Sequence, residues 1–425
     1  MKSTLSINTQ DKATTTNLMA LFIVCFAGNM FGGVVSTLMS VYLPVVVKEL
    51  RGGQSDAQLN DISGYINSIF IFGWAAGGFL WGVISDKTGR KASLLLSIAC
   101  FGIFTLLTGF MNSWWCVVVC RFLSGVGTGG LLVVSFTLIS EVWPEKNRAI
   151  VTGILSISVP VGIFSAGMIS YLVSSWREGF MIGIIPIAIA VAGYWVITES
   201  ELWLNDRSDR SSLPTVESRL FHSENLAALA TGSVIFGTML IGMWAIFSWT
   251  PTWIQSLLAT DAHKEGGISM MFLGMGGLTG GFFSGWLVNL VGLRRSLVAS
   301  FVVCIALSFV LFKTNSSFSV IIYPEIAVIA LFFGVSQGVL SLYIPLLFHT
   351  SIRASATGFC FNIGRVFTGL AVLTVGVLVT ALGGYSNALF IFSLIFIIGL
   401  LAVVLIKNIQ PATQHTKQME TDGTY

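Results

Sequence analysis

Charged side chains are what this sequence has least of: 10% of its 425 residues, while 54% are hydrophobic. A water-soluble domain carries about a quarter charged residues, so a chain this apolar cannot clothe a water-facing surface. Histidine is scarce too. The four copies, His222, His263, His349 and His415, fall in loops, at the ends of apolar runs or in the tail, and none makes a convincing buried base. The six cysteines all lie inside apolar runs, with no CxxC pair and no His/Cys ligand spacing. That pattern argues against a metal centre and reads as small buried side chains. HExxH, a nucleophile elbow and a Walker loop are all missing. These gaps argue against an enzyme, an ATP-driven pump on this chain, a bound cofactor and a metal. The formal charge of +3 says little about partners, and nothing points to nucleic acid.

What the chain does have is long apolar runs. Each is about 20 residues or more, enough to cross a hydrocarbon core of roughly 30 Å as a helix. In lipid the backbone must satisfy its own hydrogen bonds, so such runs are helices. Twelve are expected, near residues 17–47, 62–84, 93–111, 115–142, 149–173, 180–198, 225–254, 268–288, 296–312, 319–348, 355–381 and 388–406. The first sixteen residues are polar. The run after them is too long for a signal-peptide core and has no small-residue cleavage site, so it is read as a retained first span.

One stretch organises the rest. Residues 73–94 read GWAAGGFLWGVISDKTGRKASL, and residues 276–297 read GGLTGGFFSGWLVNLVGLRRSL. Without a gap, glycines 73, 77, 78, 82 and 89 meet glycines 276, 280, 281, 285 and 292. The chain is therefore read as an internal duplication: an all-α membrane protein of twelve helices in two six-helix bundles. The expected divisions are a first bundle over 1–198, a polar linker over 199–224 holding Asp206, Arg207, Asp209, Arg210 and Arg219, a second bundle over 225–406, and a polar tail over 407–425. Of the 22 Lys and Arg, only Lys48, Arg51, Arg177, Lys264 and Lys313 fall in loops on one side, and Arg121 and Arg365 fall within spans. The rest gather on the other side, which places both termini in the cytoplasm of a cell-membrane protein. Glycines four apart, such as Gly73 and Gly77 or Gly281 and Gly285, expose bare backbone to a neighbouring helix. In the turn, Gly89 permits the tight bend, and Asp86 either caps the next helix or pairs with Arg90. The second copy has Asn289 in place of Asp86 and Leu293 in place of Arg90, so any charge lock is stronger in the first half.

The turn Gly82-x-x-x-Asp86-Lys87-x-Gly89-Arg90-Lys91 resembles the signature loop of the major facilitator superfamily, secondary transporters with two six-helix bundles. Arg121-Phe-Leu-Ser-Gly125-Val-Gly127-Thr-Gly129-Gly130 is similar to that superfamily's arginine and glycine motif, and Glu141-x-x-Pro144-x-x-x-Arg148-Ala149 follows it. Glu199-Ser-Glu-Leu-Trp203-Leu resembles the ESPxWL box of sugar-porter-like and carboxylate-symporter-like branches, with Glu201 in place of Pro. The segment from Arg353 through Gly358 and Asn362 to Arg365 resembles the sialate and aromatic-acid symporter branches. Those branches often carry an acid where Asn29 stands, and many carry Glu where Leu131 stands.

In a two-bundle transporter, substrate binds near the bilayer midplane, where polar groups are expensive. Arg121 and Arg365 stand inside spans with no acid as deep, and a fork of donors suits a carboxylate or phosphate. Each arginine either grips substrate or braces helices. Asn29, Asn67, Trp249, Gln337, Tyr343 and Asn362 complete the substrate-binding candidates. Gating falls to Asp86, Gly89, Arg90, Lys91, Glu141, Arg148, Asn289, Arg294 and Arg353. Glu141 and Glu325 are proton-coupling candidates. The leading reading is secondary transport of a small organic anion by alternating access, by a monomer in the bilayer, with a coupling proton left open. Sugar or other neutral-metabolite uptake, multidrug export and a transporter-like sensor are the alternatives.

Overall fold

The structure, a computed structural model, describes residues 3–51, 55–201, 203–204, 221–258, 262–348 and 352–405. These residues form helices and turns, with no strand among them. Among the described residues, twelve helices are long and apolar enough to cross a membrane. They are, in order, Leu18–Arg51, Asp56–Thr88, Arg90–Thr108, Trp114–Val142, Glu145–Leu172, Trp176–Val196, Asn225–Leu257, His263–Val291, Leu293–Thr314, Ile322–Leu346, Ser355–Ala381 and Tyr385–Leu405. Several run past the apolar stretch the sequence marks. The second begins at Asp56 and not near Ile62, and the first helix is already wound at Ser3. A helix stops where its hydrogen-bond ladder ends, which need not be where its apolar residues end. The linker residues Asp206, Arg207, Asp209, Arg210 and Arg219, the tail 407–425, His349 and His415 lie outside the described residues.

The chain divides into two compact units, Met1–Leu213 with His263–Met271, and Pro214–Ala262 with Phe272–Tyr425. In the first, the second and fourth spans cross on reciprocal glycines. A Cβ at Gly73 or Gly77 would strike the carbonyls of Phe122 and Val126, and one at Gly125 or Gly129 would strike those of Phe70 and Trp74. The first and fifth spans cross the same way, Gly33 against Val159 and Gly162 against Met30. Without side chains at the crossing, two backbones approach to van der Waals distance, which is the attraction that lipid leaves to them. The second unit repeats the device between its eighth and tenth spans. Gly276 and Gly280 lie on the carbonyls of Ala327 and Leu331, and Gly334 lies on Gly277. A methyl on Gly281 or Gly285 would meet nothing within 4 Å, although the Gly281 backbone itself lies against Gly334.

Candidate functional site

The repeated turn is built on backbone sign. Gly89 has φ 105° and Gly292 has φ 90°, a region that a side chain makes costly. Each glycine ends one helix and starts the next within a single residue.

Around Gly89 the first unit gathers its charges. Arg90 Nη1 donates to Asp86 Oδ1 at 2.6 Å and to Ser85 Oγ at 2.8 Å, and its Nε donates to Glu141 Oε1 at 3.1 Å. One guanidinium thus ties the end of the second span to the end of the fourth. Glu199 approaches from beyond the sixth span. Its carboxylate accepts the backbone N–H of Arg90 at 2.8 Å and of Lys91 at 3.1 Å, capping the third helix where the helix dipole favours negative charge. The indole of Trp203, itself buried, donates to the Asp86 carbonyl at 3.0 Å. Lys91 Nζ lies 5.0 Å from the Tyr194 ring centre.

The second copy closes by other means. Arg294 donates to the carbonyls of Val403 and Val404, at 3.3 and 2.9 Å, at the end of the twelfth span. A cation on the last carbonyls is the mirror of an anion on the first N–H groups. Asn289 is exposed. Arg148 and Arg353 do one job in the two halves: each Nε bonds the carbonyl five residues back, Trp143 at 3.2 Å and Phe348 at 3.4 Å. Both brace their own turns.

The first unit also holds buried polar groups inside its spans. Arg121 is 1% exposed. Its Nη1 donates to the Val35 carbonyl at 2.8 Å, its guanidinium carbon lies 4.1 Å from the Phe70 ring centre, and its buried Nε has no partner among the described residues. No carboxylate pairs with it among the described residues. Asn29 donates through Nδ2 to the Cys25 carbonyl at 2.8 Å and to Ser135 Oγ at 2.9 Å, and its buried Oδ1 accepts nothing from the described residues. It opens on a crevice lined by Gly32, Trp74, Thr128, Leu131 and Val159. Asn67 is buried on the second span.

In the second unit, Arg365 donates to Asn362 Oδ1 at 3.2 Å, one turn back on the eleventh span. Trp249 is fully buried against the Tyr385 ring, 5.9 Å away, and its indole N–H has no acceptor among the described residues. The hydroxyls of Thr250 and Thr252, on either side of Pro251, are likewise buried and unpartnered among the described residues. Gln337 Nε2 is buried without a partner among the described residues, and Tyr343 is half-buried. Glu325 accepts from Asn315 Nδ2 at 2.7 Å, in the first turn of the tenth span.

A profile described as Major Facilitator Superfamily matches residues 18–372. The chain belongs to the Major Facilitator Superfamily. It is 26% identical over 405 residues to the cis,cis-muconate transport protein of Acinetobacter baylyi, covering 92% of this chain and 94% of that one. It is 26% identical over 373 residues to the sialic acid transporter NanX of Escherichia coli K12, covering 84% and 87%. Among solved structures, a D-xylose-proton symporter superposes with a TM-score of 0.75 at 16% identity, over 93% of this chain and 98% of that one. At that identity the likeness is one of fold.

This Major Facilitator Superfamily member is a multi-pass membrane transporter and not an enzyme. Within its first unit the structure joins Asp86, Arg90 and Glu141 into one cluster and sets Asn29 apart on the crevice. Within its second it joins Arg365 to Asn362, while Trp249 meets Tyr385. Sequence reasoning missed Glu199 as a cap, Phe70 as the face under Arg121 and Ser135 as the partner of Asn29. Only Glu199 had a local signal, its acid-first box after the sixth span.

Proposed function

We propose that the chain is a secondary transporter that carries a small organic anion by alternating access. Arg121 carries this reading. A guanidinium buried to 1% exposure, held by one carbonyl and one ring face, has among the described residues no counter-ion of the kind that burial of charge calls for. An entering carboxylate supplies it, in the two-pronged geometry that arginine favours. The muconate and sialic acid transporters are named for carboxylic acids, which supports the same substrate class. Arg365, Asn362, Trp249, Gln337, Tyr343, Asn29 and Asn67 are the further binding residues in this reading. The Gly89 turn, with Asp86, Arg90, Lys91, Glu141 and Arg148, holds one conformation of the cycle, and Asn289, Arg294 and Arg353 take that part in the second half. Division into bundles over 1–198 and 225–406, joined by the linker 199–224 with a tail over 407–425, belongs to this proposal, as do cytoplasmic termini and a monomeric carrier. Solute counterflow in proteoliposomes tests it. Organic acids should exchange across the membrane while sugars and cationic drugs should not, and sugar flux without acid flux refutes the anion reading.

A further inference from the structure

The two copies of the turn differ most in their acids. At the first, Arg90 is 8% exposed and bonded to Asp86 and Glu141, and Glu199 takes the N–H groups of Arg90 and Lys91 that open the third helix. The gapless alignment sets Asn289 opposite Asp86, and Leu293 and Arg294 opposite Arg90 and Lys91, with Arg295 following. Asn289, Arg294 and Arg295 are all exposed. Among the described residues no acid pairs with either arginine, and no side chain takes the N–H groups that open the ninth helix.

Apolar surface runs up to these cations. Arg294 reaches the carbonyls of Val403 and Val404 at the end of the twelfth span, where Leu401, Val404 and Leu405 are exposed. On the eighth span Phe282, Trp286 and Leu290, four residues apart on one helix face, are exposed as well. Exposed apolar side chains on a spanning helix are solvated by acyl chains, and the turn marks the level where headgroups begin. Tails against the apolar face and a phosphate against the arginines trace the outline of one lipid. The phosphate meets guanidinium donors and the positive end of the ninth helix together. We propose that the Gly292 turn is a docking site for an anionic phospholipid, whose headgroup supplies in the second half the negative charge that Asp86 and Glu199 supply in the first. The Gly89 turn is no such site, because its own acids already occupy its cation and its N–H groups. A zwitterionic lipid is a poor occupant, because its ammonium cancels the attraction. This site goes beyond the transport reading and does not depend on it.

The test uses purified full-length protein in mixed micelles of detergent and phosphatidylcholine, titrated with phosphatidylglycerol and read by melting temperature. Phosphatidylglycerol should raise the melting temperature to a plateau, whereas the same amount of extra phosphatidylcholine should not. Arg295→Gln removes a side chain with no ion pair among the described residues. It should melt like the parent without phosphatidylglycerol, yet need roughly fivefold more of it to reach half the plateau. Asn289→Asp, which returns an acid to the turn, should weaken the response in the same direction. Lys87→Gln, at an exposed cation of the first turn, should leave the titration as it is in the parent. An equal loss in Lys87→Gln and Arg295→Gln means diffuse attraction to all the exposed cations and overturns the site. A rise matched by inorganic phosphate alone overturns a lipid as the occupant, since free phosphate makes no use of the apolar face. No rise in the parent overturns the proposal outright.

Discussion

The carboxylate of Glu199 grips the backbone N–H groups of Arg90 and Lys91, at 2.8 and 3.1 Å, from a point more than 100 residues further along the chain. The chain leaving the sixth span thereby caps the third helix. A carboxylate at a helix N-terminus satisfies donors the helix cannot satisfy and meets the positive end of its dipole. Replacing Glu199 by Ala should lower stability by about 1 kcal/mol and replacing it by Gln should cost less, because the amide still accepts. Thermal melts of the detergent-solubilised variants check the order; equal melting of both with the parent would rule out the cap.

Within the Arg90 cluster the two acids are not equivalent. The Asp86 side chain is 56% exposed, that of Glu141 only 19%. Solvent screens the first pair and much less the second. Glu141→Gln should therefore reduce the melting temperature more than Asp86→Asn does, although the Asp86 contact is the shorter. The same melts at low and high salt should move the parent less than a surface ion pair would.

Asp86 should matter to rate instead. Asp86→Ala is expected to slow turnover more than it weakens substrate binding, because the turn governs switching and touches no substrate in this reading. Counterflow rates set against binding measured by thermal shift separate the two. A loss of affinity with turnover intact would contradict it.

Two glycines of the same helix should behave oppositely. Gly77→Ala drives a methyl into the Val126 carbonyl, whereas Gly82→Ala meets nothing within 4 Å. The first should destabilise by about 1–3 kcal/mol, and the second should be neutral or stabilise by up to about 1 kcal/mol. In the second half, Gly280→Ala and Gly285→Ala should split the same way. Yield of folded protein in mild detergent gives a first reading and melting temperature the second.

Arg365→Ala should abolish anion transport while the protein still inserts and purifies as a folded species. Uptake unchanged from the parent would remove Arg365 from the binding set and leave the argument on Arg121 alone.

Twelve crossing helices, their pairing into two related sets and the tight Gly89 and Gly292 turns are all readable in the linear chain. The cause is local: lipid leaves an apolar run no conformation but helix, and a repeated glycine pattern marks a repeated bend. The signature loop likewise announced the superfamily through adjacent residues. Tertiary structure alone decided at which glycines of the ladder a side chain would strike another backbone, choosing Gly276 and Gly280 and leaving the side-chain positions of Gly281 and Gly285 open. Spacing specifies a face, while the crossing point specifies which turns of that face are covered. It also decided that Glu199, and not Asp86, caps the third helix, and that the cation at Arg121 rests on Phe70 with no acid paired to it among the described residues. Those are relations between residues far apart in sequence. They follow from how whole helices pack, and no short stretch of the chain encodes them.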